Sequence, residues 1–331
     1  MEQASTFTGI DISKLTLDIC ILKGTNKKHL RINNEPDAIK VFFTSLIAEC
    51  GSVQIGMENT GCYNYNLYQV LNDLDLLYYV IPPMHLKKSL GLARGKNDKV
   101  DALRIARFME LNVNTMDVYK PQRAVITKLQ LLLTVRNQRI KIRKQLGGNR
   151  EQYQYLSEES STLQPLDIEL IATIDAQVKA IEQQIQELIN NDASLNASYK
   201  LISSVQGVGK VLSWNLLVST GEFNNITEAR KLACYAGVAP FEHTSGTSIR
   251  GRSRVSQYAD KGLKMLFHLA AMSAIRLEGD LRNYYQRKVA DGKNKMCVLN
   301  AVRNKIIHRI YAVLKNQRPY QKYPPICLVV S

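Results

Sequence analysis

No apolar run in this chain approaches the roughly 18 residues that would suggest a membrane-spanning helix. The stretch MLFHLAAMSAI at 265–275 is far too short. The N-terminus, MEQAST, lacks the basic and apolar regions of a secretory signal and leads straight into a strand, so a cytoplasmic chain is expected. The cysteines, at positions 20, 50, 62, 234, 297 and 327, form no CxxC pair and no Cys/His spacing of the zinc type. They are read as reduced and structural. The histidines at 29, 85, 243, 268 and 308 are equally dispersed, with neither HExxH nor a two-His-one-carboxylate pattern, and no zinc or iron site is expected. Proline is scarce, at 9 residues, and 45% of the chain is hydrophobic, which excludes a disordered polymer. The most consequential shortage is of negative charge. Against 44 Lys and Arg stand only 29 Asp and Glu in 331 residues, a net charge of +15 that points to a polyanionic partner.

Four of those few acids sit in short motifs: Asp11 in GIDISK, Glu58 in GMENTG, and Asp98 with Asp101 in GKNDKVDALRIARF. TFTGIDISKLTLDICIL predicts a strand ending near Asp11, a bend at Ser13-Lys14, and a second strand with alternating Leu15, Leu17 and Ile19. RINNEPDAIKVFFTSLIAECG predicts a short strand and an amphipathic helix, SVQIGMENTG a buried strand closing at Glu58, CYNYNLYQVLNDLDL a helix, and LYYVIPP another strand. Residues 1–121 therefore read as an α/β domain with mixed strands, of the ribonuclease-H-like kind.

In that arrangement Asp11 and Glu58 lie side by side on neighbouring strands. Asp98 and Asp101, three residues apart on a helix, project from one face. Four carboxylates in one pocket repel one another unless cations neutralise them. Two Mg²⁺ ions about 3.5 to 4 Å apart would do so, aligning a nucleophile and polarising a phosphate. Taken singly three of the acids have a plainer reading: Asp11 as a turn residue, Asp98 as a helix N-terminal acid, Asp101 as a solvated helix residue, whereas Glu58, closing an apolar strand, lies where α/β sites are usually built. The combination carries the inference. Lys14, Arg94, Lys96 and Lys99 surround it as candidate contacts to a phosphate backbone, with a solvated surface loop as the plain alternative.

Residues 122–195 change character. ITKLQLLLTVRNQRIKIRKQL is helical and basic, Gly147-Gly148 breaks it, and Pro165 precedes a second helix. There Ile171, Ile174, Val178, Ile181, Ile185 and Leu188 repeat at spacings of 3 and 4, as in a coiled-coil seam. The run is short, so a plain helical hairpin stays open, and either form gives a spacer or oligomerisation arm. Arg136, Arg139, Lys141, Arg143 and Lys144 make a basic stripe, a nucleic-acid contact in preference to a solvated face.

Residues 196–331 read as a mainly helical domain. QGVGKVLSWNLL resembles the glycine turn and helix of a helix-hairpin-helix phosphate contact, and it lacks the residues of a P-loop. A helix then ends at YAGVAP, a polar loop carries Ser245-Gly246 with Arg250, Arg252 and Arg254, and a long apolar helix begins after Lys261. A serine on a glycine-flanked loop beside arginines can attack a phosphodiester. Ser248, Ser253 and Ser256 compete with Ser245 on these grounds, a turn or cap role remains open for each, and His243 is read as a surface histidine. The last helix, CVLNAVRNKIIHRIYAVLKNQ, shows an apolar stripe and a basic face with Arg303, Lys305 and Arg309.

GIDISK, MENTG, GKNDKVDALRIARF, QGVGKVLSWNLL and KLACYAGVAP with its following TSG and Arg-rich stretch together resemble the DEDD transposases of bacterial insertion sequences, the IS-one-ten group. The resemblance implies a RuvC-like domain, a coiled coil and a C-terminal transposase domain. It implies that Asp11, Glu58, Asp98 and Asp101 form the metal site and that Ser245 is the nucleophile joining DNA through a phosphoserine. It further implies a structured guide RNA pairing with donor and target DNA, and a homodimer or tetramer in which one protomer's acids meet another's serine, acting at the nucleoid. One stretch departs from the family pattern ISK.GN..LR: here it is VSQYADKGLK, with Ala259-Asp260 for Gly-Asn and Lys264 for Arg. A junction-resolving metal nuclease and a non-catalytic nucleic-acid-binding regulator are the alternatives.

Overall fold

The computed structural model describes residues 6–89, 97–148, 153, 155–156, 162–245, 249–255 and 257–321. The chain divides into two compact units, Met1–Pro121 and Gln122–Ser331.

In the first unit, β1 (Thr6–Ile12), β2 (Thr16–Lys23) and β3 (Asn26–Asn33) run as an antiparallel meander. Helix α1 (Pro36–Cys50) begins on a proline, whose missing N–H costs nothing there, and ends at Gly51 with φ 73°. It carries the chain across to β4 (Val53–Glu58), parallel to β1. Helix α2 (Tyr65–Asp73) then leads to β5 (Tyr78–Ile81), parallel to β4. The resulting strand order, β3-β2-β1-β4-β5, is that of the expected ribonuclease-H-like fold.

Alternation along the strands sorts their side chains to two faces. One face buries Ile10, Leu17, Ile19, Ile55 and Met57 against Ile39 and Phe43 of α1 and Leu67 and Leu71 of α2. The other is covered by α4 (Asp98–Asn112), which lays Ala102, Ile105, Ala106 and Met109 on the sheet, with Leu86 of the short α3 (Pro83–Ser89) beside them.

Gly9 and Gly56 make that second packing possible. A Cβ on Gly9 would stand 2.2 Å from the Ala106 nitrogen and 2.3 Å from the Ala102 oxygen. The α4 backbone thus rests directly on β1, and its first turn is held over the strand end that carries Asp11. Gly9→Val is expected to destabilise the unit by at least about 3 kcal/mol, because both clashing groups are backbone and neither can withdraw. Gly56→Ala is milder, since it meets only the flexible Met109 side chain. Urea denaturation of the two variants checks the ranking; equal midpoints would contradict it.

Among the described residues, the second unit is helical apart from one pair of strands. Helices α5 (Ala124–Gly147) and α6 (Leu163–Asn190) form an antiparallel helical hairpin, Arg136 meeting Glu182, Arg139 meeting Gln177 and Arg143 meeting Asp175. Pro165 lies inside the first turn of α6 and not before it, where a missing N–H is tolerated. The 3,4-spaced residues form the packed stripe: Ile171, Ile174 and Ile185 are buried, and Val178, Ile181 and Leu188 half-buried. The base of the hairpin shares one core with α7 (Ala193–Ser203), α8 (Lys210–Ser219), α9 (Ala229–Tyr235), α10 (Lys261–Arg276), α11 (Asp280–Ala290) and α12 (Lys295–Asn316). Trp214, 1% exposed, sits in that core.

Where a polar loop was expected, residues 241–245 and 249–254 form two antiparallel strands, β6 (Phe241–Ser245) and β7 (Ile249–Arg254). Ladder hydrogen bonds satisfy a polar backbone there that a loop would leave to water.

Candidate active site

Asp11 and Glu58 occupy adjacent parallel strands, each one residue beyond the pair Ile10 and Met57. Both take the strand parity of Gly9 and Gly56, the residues that face α4. Helix α4 is started by Asn97, whose side-chain oxygen accepts from the Lys99 N–H at 3.2 Å, and Asp98 and Asp101 stand in its first turn. The Asp11 carboxyl is pushed up to about 6, first by burial and then by the charges of Asp101, Asp98, Glu58 and Asp18.

Sequence reasoning missed the fifth carboxylate. Asp18 lies directly across the β1–β2 ladder from Asp11 and is 2% exposed. Its cross-strand neighbour on the other side is Arg31, which holds it through Nε at 3.0 Å and Nη2 at 2.9 Å. The same Nη2 reaches Asp98 at 3.2 Å. The signal was present in LDICIL: a carboxylate within an otherwise apolar strand needs a cation, and β3 supplies one at the paired position. Arg31→Gln is expected to lower the melting temperature by more than the double variant Arg31→Gln/Asp18→Asn, because the single change strands a buried carboxylate. A double variant less stable than the single would refute this assignment.

Arg104 binds Asp101 at 2.6 Å. With Arg31 on Asp98 and Arg104 on Asp101, no three acids among the described residues converge as a ready ligand set. The donor set nevertheless suits a hard divalent cation. It consists of carboxylate oxygens, five acids against two arginines, and one member whose charge is disfavoured by burial and then by the others.

Lys14, in the β1–β2 bend, and Lys99, in the first turn of α4, are exposed. Arg94 and Lys96 lie outside the described residues. The basic stripe of α5 is engaged in part. Arg136 is tied to Glu182 at 2.7 Å, Arg139 to Gln177 at 2.7 Å, and Arg143 to Asp175, so these three brace the hairpin. Their acidic and amide partners lie 32 to 46 residues later, out of reach of a local reading of charge. Lys141 and Lys144 are exposed.

Ser245 ends β6 and pairs with Ile249 of β7, with Thr244 opposite Arg250 and His243 opposite Gly251. Arg250, Arg252 and Arg254 fall at alternate positions of β7, and Ser253 lies between two of them. Ser248 and Ser256 lie outside the described residues.

Residues 8–150 match the DEDD family of IS110, described as a transposase, and residues 199–286 match a family described as transposase IS116/IS110/IS902. The chain is similar over its length to the pilin gene-inverting protein of Moraxella bovis, 27% identical over 326 residues that cover 96% of this chain and 98% of the relative. It is similar to the transposase for insertion sequence element IS1111A of Coxiella burnetii, 21% identical over 340 residues covering 95% and 90%. The insertion element IS116 uncharacterized 44.8 kDa protein of Streptomyces clavuligerus matches at 26% over 156 residues, 47% of this chain and 38% of that one. T. thermophilus RuvC in complex with Holliday junction substrate aligns with 35% of this chain and 99% of its own, at 12% identity and a TM-score of 0.29, and the fold assignment above rests on strand order instead. Family matches in both units and relatives aligned nearly end to end identify the chain as a member of the IS116/IS110/IS902 family of transposases.

Proposed function

We propose that this transposase is an RNA-guided DNA recombinase that moves its own insertion sequence, cutting and rejoining strands through Ser245 and a divalent-metal site made by Asp11, Glu58, Asp98 and Asp101. The observation that carries the reading is the gathering of carboxylates around Asp11, whose proton affinity is raised first by burial and then by the charges of Asp101, Asp98, Glu58 and Asp18.

Mg²⁺ bound there would polarise the scissile phosphate and offset the charge of the pentacovalent transition state. The rest is the chain's own work. Asp11 and Glu58 fix the site on rigid strands, and α4, seated on Gly9, brings Asp98 and Asp101 to the same end of the sheet. Arg31 and Arg104 must release Asp98 and Asp101 for those two acids to turn toward a cation. The Ser245 hydroxyl forms an O–P bond as one DNA ester O–P bond breaks. Its proton is lost, and the departing DNA oxygen takes one up. A hydroxyl of the second strand then attacks the phosphoserine, releasing Ser245 and restoring one phosphodiester for each one broken, so no external energy source is required. Arg250, Arg252 and Arg254 supply cationic charge on the strand paired with that of Ser245. The guide RNA, and the meeting of one protomer's acids with another's serine, follow from the family resemblance; the net charge of +15 suits two polyanions.

The test combines purified protein, Mg²⁺, the element-end RNA and labelled donor and target DNA on a denaturing gel. An RNA-dependent DNA–protein adduct is expected. Cleaved DNA without an adduct would replace this reading with a water-activating nuclease, and RNA-dependent binding without cleavage would leave a binding protein.

A further inference from the structure

Helix α12 places a guanidinium where its sequence predicts a basic surface. Arg303, expected on an exposed face with Lys305 and Arg309, is 6% exposed, between buried Val302 and Ile306. Other arginines of this unit that are drawn inward meet carboxylates: Arg309 meets Asp280 and Arg136 meets Glu182. Arg303 has no such partner among the described residues. Its Nη2 lies 2.6 Å from His268 Nδ1 and its Nη1 lies 3.4 Å from the Asn300 side-chain oxygen, both neutral acceptors, while its Nε has no partner. A buried cation without a counter-ion is costly in a finished fold, and natural where an anion arrives later.

The neighbours are of the same kind. Burial and the Arg303 charge hold the His268 imidazole below its ordinary pKa and so neutral. With Nδ1 accepting from Arg303, its proton sits on Nε2 as a further donor. Lys264, one turn earlier on α10, lies beside Gly237, its Nζ 4.0 Å from where a Cβ on that residue would stand. Asp260, four residues before Lys264, caps α10, accepting from the Leu263 N–H at 2.9 Å. The segments that lead into and out of the β6–β7 pair lie beside this group: the Asn300 amide donates to the Val238 oxygen at 2.8 Å, and Ala259 packs against Gly237. Seven residue steps of extended chain separate Val238 from Ser245, at most about 24 Å.

We propose that Arg303, His268 and Lys264 form a seat for one backbone phosphate of the nucleic-acid strand that the Ser245 hairpin engages. The inference rests on the nucleic-acid reading above and assigns these three as positioning residues: a phosphate fixed at the foot of the hairpin registers the strand along it. Lys264 occupies the position at which the family pattern has arginine, so the cation at this corner is kept in a different form.

The experiment measures binding of the full chain to a fluorescein-labelled DNA duplex in chelator over a series of NaCl concentrations, for wild type, Arg303→Met, Lys264→Gln and His268→Leu. Circular dichroism and melting curves establish that each variant is folded. Losing either cation is expected to make the log-affinity against log-salt line shallower by about 0.7 to 0.9 and to weaken all sequences alike. His268→Leu is expected to weaken binding at every salt concentration without changing the slope, since a neutral donor releases no counter-ion. Wild-type affinity and slope in folded Arg303→Met overturn the proposal. Should that variant not fold, wild-type behaviour of Lys264→Gln overturns it instead. A second arm compares melting in inorganic phosphate and in chloride at equal ionic strength: stabilisation of wild type but not of Arg303→Met or Lys264→Gln is expected. Such stabilisation with unchanged DNA slopes would make this a small-anion site and overturn the strand seat. Stabilisation by phosphate in a wild-type protein that binds no DNA would sink the recombinase reading and leave an anion seat in place.

Discussion

Ser245→Ala protein is expected to bind donor DNA as wild type does and to form no adduct and no joined product, a loss on the order of 10⁶-fold in single-turnover joining if the serine is the nucleophile. The size follows from what the substitution removes. An alanine has no atom that can form the ester to phosphorus, and water in its place can only hydrolyse the strand, which ends the exchange. The fold tolerates the change. Ser245 is the last residue of a short strand held through backbone pairing with Ile249, and alanine there costs less than about 1 kcal/mol of strand propensity. The contrast with neighbouring serines is part of the prediction: Ser253→Ala and Ser256→Ala retain the adduct. The measurement is a denaturing gel of the three variants with labelled DNA, paired with a binding assay. An adduct that persists in Ser245→Ala and disappears in Ser253→Ala would move the nucleophile one strand over, onto β7.

How much of this was legible in the chain depends on whether the signal is local. The strand of GIDISK, the buried strand ending at Glu58 and the helix opening at Asp98 announce themselves through period and capping, and β1, β4 and α4 lie on those segments. Gly9 meant little in sequence; its reason is the backbone of α4, some 95 residues away, against which any Cβ would collide. Asp18 and Arg31 were invisible as a pair, because their contact is made by strand register and not by spacing. The arginines of α5 were misleading for the same cause: a stripe with no acid nearby in sequence is braced by acids and amides on α6. Arg303 is the sharpest case. Helical periodicity offered both a buried and a basic side of α12, and an arginine is assigned to the basic side unless something pays for burying it. The paired strands at 241–245 and 249–254 escaped because their residues are polar and carry no apolar alternation to announce a strand.

Asp11→Asn is expected to make the metal-free protein more stable at pH 7 while abolishing strand cleavage. In the folded chain the Asp11 carboxyl binds its proton more tightly than in the unfolded one, with a pKa near 6 against an ordinary 3.8. Below about pH 4 both states are protonated and the residue contributes nothing. As pH rises from about 4 to 6 the unfolded chain gives up the proton first, so stability falls through that window and stays low above it. Full ionisation at the site costs at most about 3 kcal/mol, from the rise in pKa, and solvent relaxation leaves on the order of 1 to 2 kcal/mol to be recovered by the neutral, isosteric asparagine. The advantage should therefore appear at pH 7, shrink through pH 5 and vanish near pH 4. Divalent cation reverses the ranking. Mg²⁺ at a hundred times its dissociation constant stabilises wild type by about 2.7 kcal/mol. It does less for a chain whose central ligand no longer carries charge. Urea midpoints of both proteins at pH 4 and pH 7, each in chelator and in Mg²⁺, provide the check. Equal stabilisation of both by Mg²⁺ would mean that the cation binds elsewhere. A variant weaker than wild type at pH 7 in chelator would mean that the Asp11 carboxylate is held by a hydrogen bond worth more than the repulsion of its neighbours, and the crowding of acids would then have a structural cause and not a catalytic one.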